Sequence, residues 1–416
     1  MLVAIFIIGY LTITLESPLG LSKAATALLT GILCWLVYIN GMADPRIAEQ
    51  NLYHHFGEIS SILFFLLGAM TIVELIDIHG GFTMVRTWVK TKSKSRLLAM
   101  VAAIAFFLSA FLDNLTTTIV MASFTSKLLQ SRQDRLWFAS MIVIAANAGG
   151  VFSPLGDVTT TMLWIGGQIT AVNTVRALFI PSVVVCLVPL VIISWRFRKQ
   201  VVEASFSPQT TVPSFDAHIV LFTGVALLLL VPFFHGLTHL PPFMGILFAV
   251  GILWIVTTRL HSRKDVSEKT RLSVSNALQR IDTPSILFFL GILLSVAALQ
   301  SAGILENFGR LLTSELHDDR LIGITLGLVS AVIDNVPLVA AAQGMYGLDV
   351  YPTDSSFWQF LALTTGTGGS AIIIGSAAGV AAMGIERIEF GWYLKRISWI
   401  ALVGFALGAL VFIGLS

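Results

Sequence analysis

Long apolar runs alternate with short polar segments along the whole chain, and this alternation predicts the structural elements. A helix needs about 20 mostly apolar residues to cross the hydrocarbon core of a bilayer. Two spans, 136–168 and 356–385, are too long for one plain crossing and are interrupted by Gly, Ser or Pro, so we expect broken helices there. In full, the pattern predicts ten membrane spans, at residues 1–16, 21–40, 58–78, 136–168, 177–195, 217–235, 241–258, 283–302, 356–385 and 391–414.

Two further apolar segments, 97–128 and 321–346, carry a polar break at their centre. Each limb has roughly 15 residues, which corresponds to about 22 Å of helix at a rise of about 1.5 Å per residue. A limb of this length is too short to cross the bilayer but long enough to reach its midplane and return. The two segments are therefore predicted to be re-entrant hairpins.

The dipeptide Asp-Asn marks the centre of both segments, as Asp113-Asn114 and Asp334-Asn335. A charged Asp in lipid costs about 2.5–3.5 kcal/mol or more, so an intramembrane Asp indicates a functional site. Two such residues at matching places in two repeats indicate a transporter built by internal duplication. The flanking sequence repeats as well, with Ser-Ile-Leu-Phe-Phe-Leu upstream at 61–66 and 285–290, and Gly-Gly downstream at 149–150 and 368–369.

The distribution of basic residues tests this layout, because cytoplasmic loops are enriched in Lys and Arg. If the N-terminus lies outside, every basic residue except Arg46, Arg176, Arg310 and Arg320 falls in an inward loop. This bias would collapse if either polar-centred segment crossed the bilayer fully. The pattern therefore favours two hairpins and places both termini outside. Each half then has five crossings, an odd number, which inverts the second half relative to the first.

The predicted fold is thus an all-α polytopic membrane protein, an inverted repeat in which each half has a re-entrant hairpin and a broken helix. Residues 1–200 form the first repeat, with spans 1–5 and a cytoplasm-side hairpin at about 97–128. Residues 201–216 are polar, contain two prolines and form the linker. Residues 217–416 form the second repeat, with spans 6–10 and an outside hairpin at about 321–346.

Composition excludes a soluble globular protein. Apolar residues make up 56% of the chain and charged residues only 12%, about half the share found in soluble domains. The two cysteines, Cys34 and Cys186, lie in apolar runs and form neither a disulfide framework nor a zinc-binding pattern. We expect the lipid bilayer as a partner, no nucleic acid and no bound cofactor.

Non-helical backbone at membrane depth is tolerated only where protein buries it or where it lines a water-filled cavity. Two hairpin tips and two helix breaks therefore predict a central polar site. Its carboxylates, amides, hydroxyls and carbonyls are hard oxygen ligands, which suit hard cations rather than soft metals. The candidate residues are Asp113, Asn114, Thr117, Asn147, Gly150, Asp157 and Thr160 in the first half, and Asp334, Asn335, Thr367, Gly369 and Ser376 in the second.

The two halves are not expected to carry equal charge at this site. Ser376 stands at the position that matches Asp157, and Pro154 has no counterpart in the second half. We therefore expect the stronger cation site in the first half, with Na⁺ bound at Asp113, Asn114 and Asp157.

Each acidic candidate also has a structural interpretation. A buried Asp can cap a helix N-terminus, and for Asp157 capping and ion binding are equally good interpretations. Asp113 and Asp334 could act in the same way, but the repeat and the adjacent Asn favour a functional role. Glu74 and Asp77 lie near the cytoplasmic end of their span and form a second tier, since a local salt bridge explains them as well as function does.

Three segments carry a more specific signal. They read Leu-Leu-Gly-Ala-Met-Thr-Ile-Val-Glu-Leu-Ile-Asp at 66–77, Asp-Asn-Leu-Thr-Thr-Thr at 113–118, and Asn-Ala-Gly-Gly-Val-Phe-Ser-Pro-Leu-Gly-Asp-Val-Thr-Thr-Thr-Met-Leu-Trp at 147–164. Together they resemble the NhaD-type sodium/proton antiporters, which share the ion transporter superfamily with arsenite permeases and divalent-anion/sodium symporters. The resemblance covers nearly the whole chain, and the segment 147–164 is its most specific part.

The resemblance implies exchange of Na⁺ or Li⁺ for H⁺ across the inner (plasma) membrane of bacteria. At the level of the superfamily it implies a homodimer, a scaffold part, and a mobile transport part that holds the hairpins and unwound helices and moves in an elevator-type cycle. The anion symporters carry Ser-Asn-Thr at their hairpin tips, where this chain has Asp113 and Asp334 in place of the Ser. The added negative charge disfavours an anionic substrate.

The chain is therefore predicted to be a secondary transporter in which Na⁺ (or Li⁺) and H⁺ compete for Asp113 and Asp157. The nearest alternative is an anion or arsenite transporter of the same superfamily, which the lack of Lys or Arg at the predicted midplane disfavours. A remote alternative is an intramembrane aspartyl protease, because Pro154-Leu-Gly-Asp157 differs by one residue from Gly-x-Gly-Asp. An inverted repeat has no role in that chemistry, so we expect that the protein is not an enzyme.

The charge bias gives a testable topology. In a Cys34→Ala, Cys186→Ala background, a cysteine placed at Lys90 or at Lys127 should react with an impermeant thiol reagent only from the cytoplasmic side. A cysteine placed at Ser416 should react only from outside, because both termini are predicted to lie there. Labelling of the Lys90 and Lys127 positions from opposite faces would remove the first hairpin, and the inverted repeat with it.

Overall fold

The structure, a computed structural model, describes residues 1–14, 20–82, 91, 93–201, 215–262, 264–332 and 334–416, and its elements there are helices. Those of the first half are α1 (Leu2–Thr14), α2 (Lys23–Gly41), α3 (Pro45–Ile78), α4 (Lys94–Leu112), α5 (Asn114–Leu128), α6 (Arg132–Val151), α7 (Val158–Ile165) and α8 (Ala171–Arg196). Those of the second half are α9 (Phe215–Thr238), α10 (Pro242–Leu260), α11 (Val266–Arg271), α12 (Val274–Arg280), α13 (Thr283–Ser301), α14 (Ile304–Leu316), α15 (Asp319–Val329), α16 (Asn335–Met345), α17 (Ser356–Gly368), α18 (Ala377–Glu386), α19 (Phe390–Arg396) and α20 (Ser398–Leu415).

Within these described ranges, eight helices are long and apolar enough to cross a membrane: α2, α3, α4, α8, α9, α10, α13 and α20. Seven of them coincide with predicted spans, and the eighth, α4, is the first limb of the predicted cytoplasmic hairpin. The first predicted span contains a shorter apolar helix, α1, of 13 residues. The prediction of an all-α polytopic membrane protein is confirmed.

Several predicted boundaries were wrong. The limb α4 has 19 residues rather than roughly 15, because it begins at Lys94, before the apolar run. The third span lies in a helix of 34 residues, which begins far earlier because Pro45 stands at its first position and the Asp44 carboxylate accepts a hydrogen bond from the Arg46 backbone N–H at 2.9 Å. The predicted linker, 201–216, falls almost wholly on residues 202–214, which lie outside the described residues. Lys90 also lies outside them.

The last predicted span, 391–414, is divided into α19 and α20. The reason lies in Tyr393 of α19, which is fully buried and whose hydroxyl donates to the carbonyl oxygen of Ser370 at 2.8 Å. This bond fixes the short helix α19 against the second broken span, so the crossing helix begins only at Ser398.

Both long predicted spans are broken where Gly, Ser and Pro interrupt them. The first consists of α6 and α7 and is open at residues 152–157; the second consists of α17 and α18 and is open at residues 369–376. Asp157 and Ser376 occupy the same place, as the N-caps of α7 and α18, and both have extended backbone. The correspondence between these two positions, read from the repeat, therefore holds in the structure.

Each broken span packs tightly against its own hairpin, in the same way in the two halves. The Ser109 hydroxyl donates to the Ala146 carbonyl at 2.6 Å, and the Ser330 hydroxyl donates to the Thr365 carbonyl at 2.6 Å. A Cβ on Gly149 would lie 2.0 Å from the carbonyl oxygen of Phe106. A Cβ on Gly368 would lie 2.0 Å from the carbonyl oxygen of Gly327, so these backbones touch because glycine is present.

The halves also contact each other reciprocally. Helix α2 of the first half packs on α13 of the second, and α10, the counterpart of α2, packs on α3, the counterpart of α13. In the same way, α5 of the first hairpin contacts α18 of the second broken span, and α16 of the second hairpin contacts α7 of the first broken span. Lys94, at the start of α4, pairs with Asp134, which follows α5, at 2.6 Å, so both ends of the first hairpin lie on one face. The inverted relation of the halves stays a prediction, which this reciprocal packing supports.

Two histidines stack where α3 and α10 end. The rings of His79 and His261 are nearly parallel with centroids 4.9 Å apart, and their Nε2 atoms are 3.0 Å apart. His79 Nδ1 lies 2.6 Å from the Leu75 carbonyl, which can only accept, so Nδ1 carries a proton and Nε2 accepts from His261. Burial lowers the pKa of His79 to about 4, although the bond to Leu75 opposes this. The pair is therefore neutral.

The close contact at Gly149 gives a stability prediction. Gly149→Ala should destabilise the protein by about 1–3 kcal/mol or more, because α4 and α6 must separate to admit the methyl group. Gly251→Ala on α10 is the matched control, since nothing lies within 4 Å of its Cβ, and Ala favours the helix by about 1 kcal/mol over Gly. Thermal unfolding in detergent measures both, and equal melting temperatures would contradict the packing of α4 on α6.

The histidine pair predicts a pH dependence of stability. In the unfolded chain His79 becomes protonated below a pH of about 6.5. In the folded protein it becomes protonated only below about pH 4. Stability should therefore fall as pH decreases through this window, by about 1–3 kcal/mol. His79→Gln should flatten the melting temperature against pH, whereas His317→Gln, at an exposed position, should not. Parallel curves for wild type and His79→Gln would reject the neutral pair.

Candidate functional site

The first hairpin tip is built around the Asp113 carboxylate. Asp113 links α4 to α5 with a φ of 69° and a ψ of 157°, a backbone conformation that is strained for a residue with a side chain. Its carboxylate accepts hydrogen bonds from the backbone N–H and the hydroxyl of Thr116, both at 2.8 Å. Asp113 thus caps α5, and its oxygens are held in place at the helix N-terminus, where the helix dipole favours negative charge.

The first helix break presents a second carboxylate in a similar way. Asp157 is buried and caps α7, accepting from the backbone N–H of Thr159 at 3.4 Å and from the Thr159 hydroxyl at 2.9 Å. The capping role proposed from the sequence is therefore present. Capping leaves the carboxylate able to accept a further bond. Oδ2, which accepts from the Thr159 hydroxyl, also accepts from Asn335 Nδ2 at 3.2 Å.

That last bond crosses between the halves. Asn335 lies at the second hairpin tip, beside Asp334, and its amide reaches the carboxylate of the first helix break. Asp334 has one carboxylate oxygen, Oδ1, that is buried without a hydrogen-bond partner in the described structure. The second tip therefore supplies an amide to the carboxylate of the first half.

A second polar link crosses in the opposite direction. Asn114, at the first tip, donates from Nδ2 to Asn147 Oδ1 at 3.1 Å. Asn147, on α6, in turn donates to the hydroxyl oxygens of Ser370 at 2.8 Å and Ser376 at 3.0 Å, in the second helix break. Because these four side chains are buried, the bonds tie the first tip to the second break.

The two links bring both tips and both breaks to one place. Asp157 lies within electrostatic range of Asp113 and of Asp334, so the three carboxylates share one region of the bundle. Among the described residues, no group of three or more His, Cys, Asp or Glu side chains could hold a metal ion. A cation here would need amide, hydroxyl or backbone oxygens as well, which suits Na⁺ or Li⁺ better than a transition metal.

Other candidates serve the backbone rather than point into this region. The Thr160 hydroxyl donates to the carbonyls of Ser153 and Asp157, both at 2.9 Å, and the Thr367 hydroxyl donates within its own helix. Thr117 differs, since its hydroxyl is buried without a hydrogen-bond partner in the described structure.

Gly150 and Gly369 serve close packing. A Cβ on Gly150 would lie 2.5 Å from the carbonyl oxygen of Gly156, and a Cβ on Gly369 would lie 2.6 Å from that of Gly375. Each glycine therefore lets the open segment fold back against the first part of its broken helix. We expect a substitution at either position to displace Asp157 or Ser376, the caps that follow.

The second-tier acids lie beside a cavity that leads toward the first tip. Glu74 on α3 pairs with Arg280 on α12 at 3.0 Å, which agrees with the local salt bridge considered from the sequence. The cavity, of about 150 Å³, is lined by these two residues, Asp77 and Thr116, the last of which holds Asp113. The ion pair therefore lines the same cavity as the threonine that holds Asp113.

Some relevant residues were missed from the sequence. Thr116 and Thr159, rather than the neighbouring candidates Thr117 and Thr160, hold the two carboxylates, and their spacing from Asp113 and Asp157 was a readable capping signal. Lys23 could not be found this way, because it lies 311 residues from Asp334 in the chain and yet lines a cavity with it. The prediction that no Lys or Arg lies at the site was therefore wrong at the second tip.

The chain is similar in sequence to known transporters. Residues 3–368 match the citrate transporter family. Sodium/proton antiporter 1 of Arabidopsis thaliana is 47% identical over 408 residues, which cover 97% of this chain and 70% of the relative. Sodium/proton antiporter 2 of the same plant is 42% identical over 414 residues, 98% of each chain. The Na⁺/H⁺ antiporter NhaD of Alkalimonas amylolytica is 31% identical over 420 residues, 94% of this chain and 84% of the relative.

These similarities confirm that the chain is a transporter rather than an enzyme. They also confirm the resemblance to NhaD-type antiporters that the three sequence segments carry. The citrate transporter match gives the anion alternative a place in the same family, so the choice between a cation and an anion depends on the chemistry of the site.

The unequal caps at Asp157 and Ser376 give a prediction for the site. Asp157→Asn should keep the cap but weaken apparent Na⁺ affinity about tenfold or more, since a charge-assisted contact contributes about 1.5–3 kcal/mol. It should also move the profile of activity against pH, because Asp113 and Asp334 lose a neighbouring negative charge. Ser376→Ala, with no charge to lose, should leave that profile in place. Unchanged Na⁺ affinity and pH profile in well-folded Asp157→Asn would leave Asp157 only the capping role.

Proposed function

Because the chain belongs to the citrate transporter family, and within it is a relative of the NhaD-type sodium/proton antiporters, we propose that it exchanges Na⁺ (or Li⁺) for H⁺ across a membrane. The observation that carries this proposal is the convergence of Asp113, Asp157 and Asp334 with the amides of the two hairpin tips. Carboxylates at membrane depth are costly, and a cation or a proton relieves that cost.

Competition for the same oxygens gives exchange without a second ligand site. A cation bound by Asp113, Asn114 and Asp157 and protons on the two carboxylates are alternatives, because both neutralise the same charges. Asn335 helps to orient Asp157 by donating to it, so the second half takes part in binding at the first. Loading one species therefore requires release of the other.

We propose that access alternates by an elevator-type movement. The transport part comprises α4–α8 and α15–α20, and the scaffold part comprises α1–α3 and α9–α13. Two links fasten the transport part at its ends: Arg135 Nε pairs with Glu386 at 2.9 Å, and the Asp354 carboxylate accepts from the backbone N–H and hydroxyl of Thr170 at 2.7 and 2.8 Å. With the central amide links, these contacts favour movement of this part as one body.

Cavities lie along the border between the two parts, which is where an elevator would slide. One of about 400 Å³ separates Glu58 of α3 and Gln300 of α13 from Met162 of α7 and Gln343 of α16. The cavity beside Thr116 and the cavity beside Asp334 have the same kind of wall, with one side from each part. These cavities leave part of the border unpacked, which would lower the cost of sliding.

The same site argues against an anionic substrate such as citrate or arsenite. An anion would need positive groups, and the groups that meet at the centre are three carboxylates and neutral amides. Lys23 lies on the side of the second tip alone. Bringing a di- or trivalent anion to this region would add repulsion of several kcal/mol at low effective dielectric.

For the setting of the protein, we propose a bacterial inner (plasma) membrane with both termini outside, and a homodimer that associates through the scaffold part. The orientation rests on the bias of basic residues toward one side. Large apolar side chains are exposed on α9 and α10, among them Phe222, Phe233, Phe248 and Ile255, and this surface is available to lipid or to a second copy.

Proteoliposomes with an imposed pH gradient test the function. Addition of Na⁺ or Li⁺ should dissipate the gradient, read as dequenching of an entrapped pH dye, whereas citrate should not. Asp113→Asn should reduce dequenching to the level of empty liposomes, because the tip loses its charge while Asn still caps α5.

Asp349→Asn, at an exposed position, is the control and should exchange like wild type. Near-normal exchange by Asp113→Asn would make the tip carboxylate structural. Citrate-dependent dequenching without Na⁺ would replace the proposed function by the anion alternative.

A further inference from the structure

A separate cavity of about 120 Å³ reaches the second hairpin tip. Its wall combines Asp334 and Ser376 of the transport part with Tyr10, Lys23 and Phe288 of the scaffold part. Asp334 and Ser376 are the counterparts of Asp113 and Asp157, so this cavity is the second-half equivalent of the proposed cation site.

One of the residues that line this cavity, Lys23, carries a positive charge. The Lys23 ammonium lies over the Phe288 ring, 5.4 Å from its centroid, in cation–π geometry. It is also within electrostatic range of the Asp334 carboxylate. Because Lys23 is the first residue of α2 and Phe288 belongs to α13, two packed scaffold helices hold the ammonium at this place.

Counted over the residues that the structure describes, the formal charges of the two equivalent places differ by two units. The first half presents two carboxylates, Asp113 and Asp157. The second presents one carboxylate, Asp334, the neutral Ser376 and the Lys23 ammonium, which sum to zero. Charges interact strongly where the effective dielectric is low, so this difference favours binding of a cation in the first half.

We propose that Lys23 is a specificity-determining residue that keeps Na⁺ out of the second half, so that each protomer binds one Na⁺, at the first half. The inference rests on the proposed function and adds to it the number and the place of the bound cations. Lys23 acts as a fixed internal cation that takes the place of a transported one, which explains how the second half keeps its Asp-Asn tip without a second transport site.

Equilibrium binding of ²²Na⁺ to the purified protein at saturating Na⁺ tests the proposal. Lys23→Met keeps an unbranched side chain over Phe288 but removes the charge, and it should double the Na⁺ bound per protomer relative to wild type. Lys23→Arg retains the charge and should bind as wild type does. Lys269→Gln on α11, an exposed position, is the matched control and should also leave the number unchanged.

Adding Asp334→Asn to Lys23→Met should return the number to the wild-type value, because the second carboxylate is then gone. Wild-type stoichiometry in folded Lys23→Met and in folded Lys23→Gln would overturn the proposal. A doubled number in Lys23→Arg as well would overturn it too, since packing and not charge would then set the number. Wild-type protein that binds no Na⁺ would instead contradict the proposed function, which separates the two failures.

Discussion

Carboxylates and open backbone at membrane depth must find their partners inside the protein, and this constraint shapes the centre of the molecule. The chain meets it by placing Asp113 and Asp157 at helix N-termini, where a Thr backbone N–H and hydroxyl hold each carboxylate. The buried amides extend the arrangement: Asn335 donates to Asp157, and Asn147 connects Asn114 to the second helix break. These contacts are reciprocal between the halves, so neither half can complete its polar centre alone.

The same arrangement connects structure to transport. The amide links and the end contacts at Arg135–Glu386 and Thr170–Asp354 join the broken helices of both halves, and cavities lie along part of the border with the proposed scaffold. A part that is bonded within itself and bordered in places by cavities is suited to the proposed movement as a unit. In the proposed cycle the net charge at its centre would change with the bound ion, which would couple loading to movement.

Much of the fold could be predicted because lipid imposes simple rules on sequence. Run lengths predicted most of the crossing helices, and Gly, Ser and Pro predicted the breaks between α6 and α7 and between α17 and α18. The internal repeat identified Asp113, Asp157 and Asp334 and matched Asp157 to Ser376, both of which cap helices. Helix ends in polar sequence were misplaced, since hydropathy carries no signal for a helix such as α3 that continues beyond the bilayer.

Contacts between distant segments could not be predicted. Nothing in the repeat indicates that Asn335 bonds to Asp157 rather than to its own half, or that Lys23 reaches the cavity of Asp334.

The most direct test of the account is the number of protons released when the purified, weakly buffered protein binds Na⁺. The account predicts release on adding Na⁺ or Li⁺, reduced in Asp157→Asn and absent on adding citrate. Na⁺ binding without proton release, or binding of citrate alone, would contradict it.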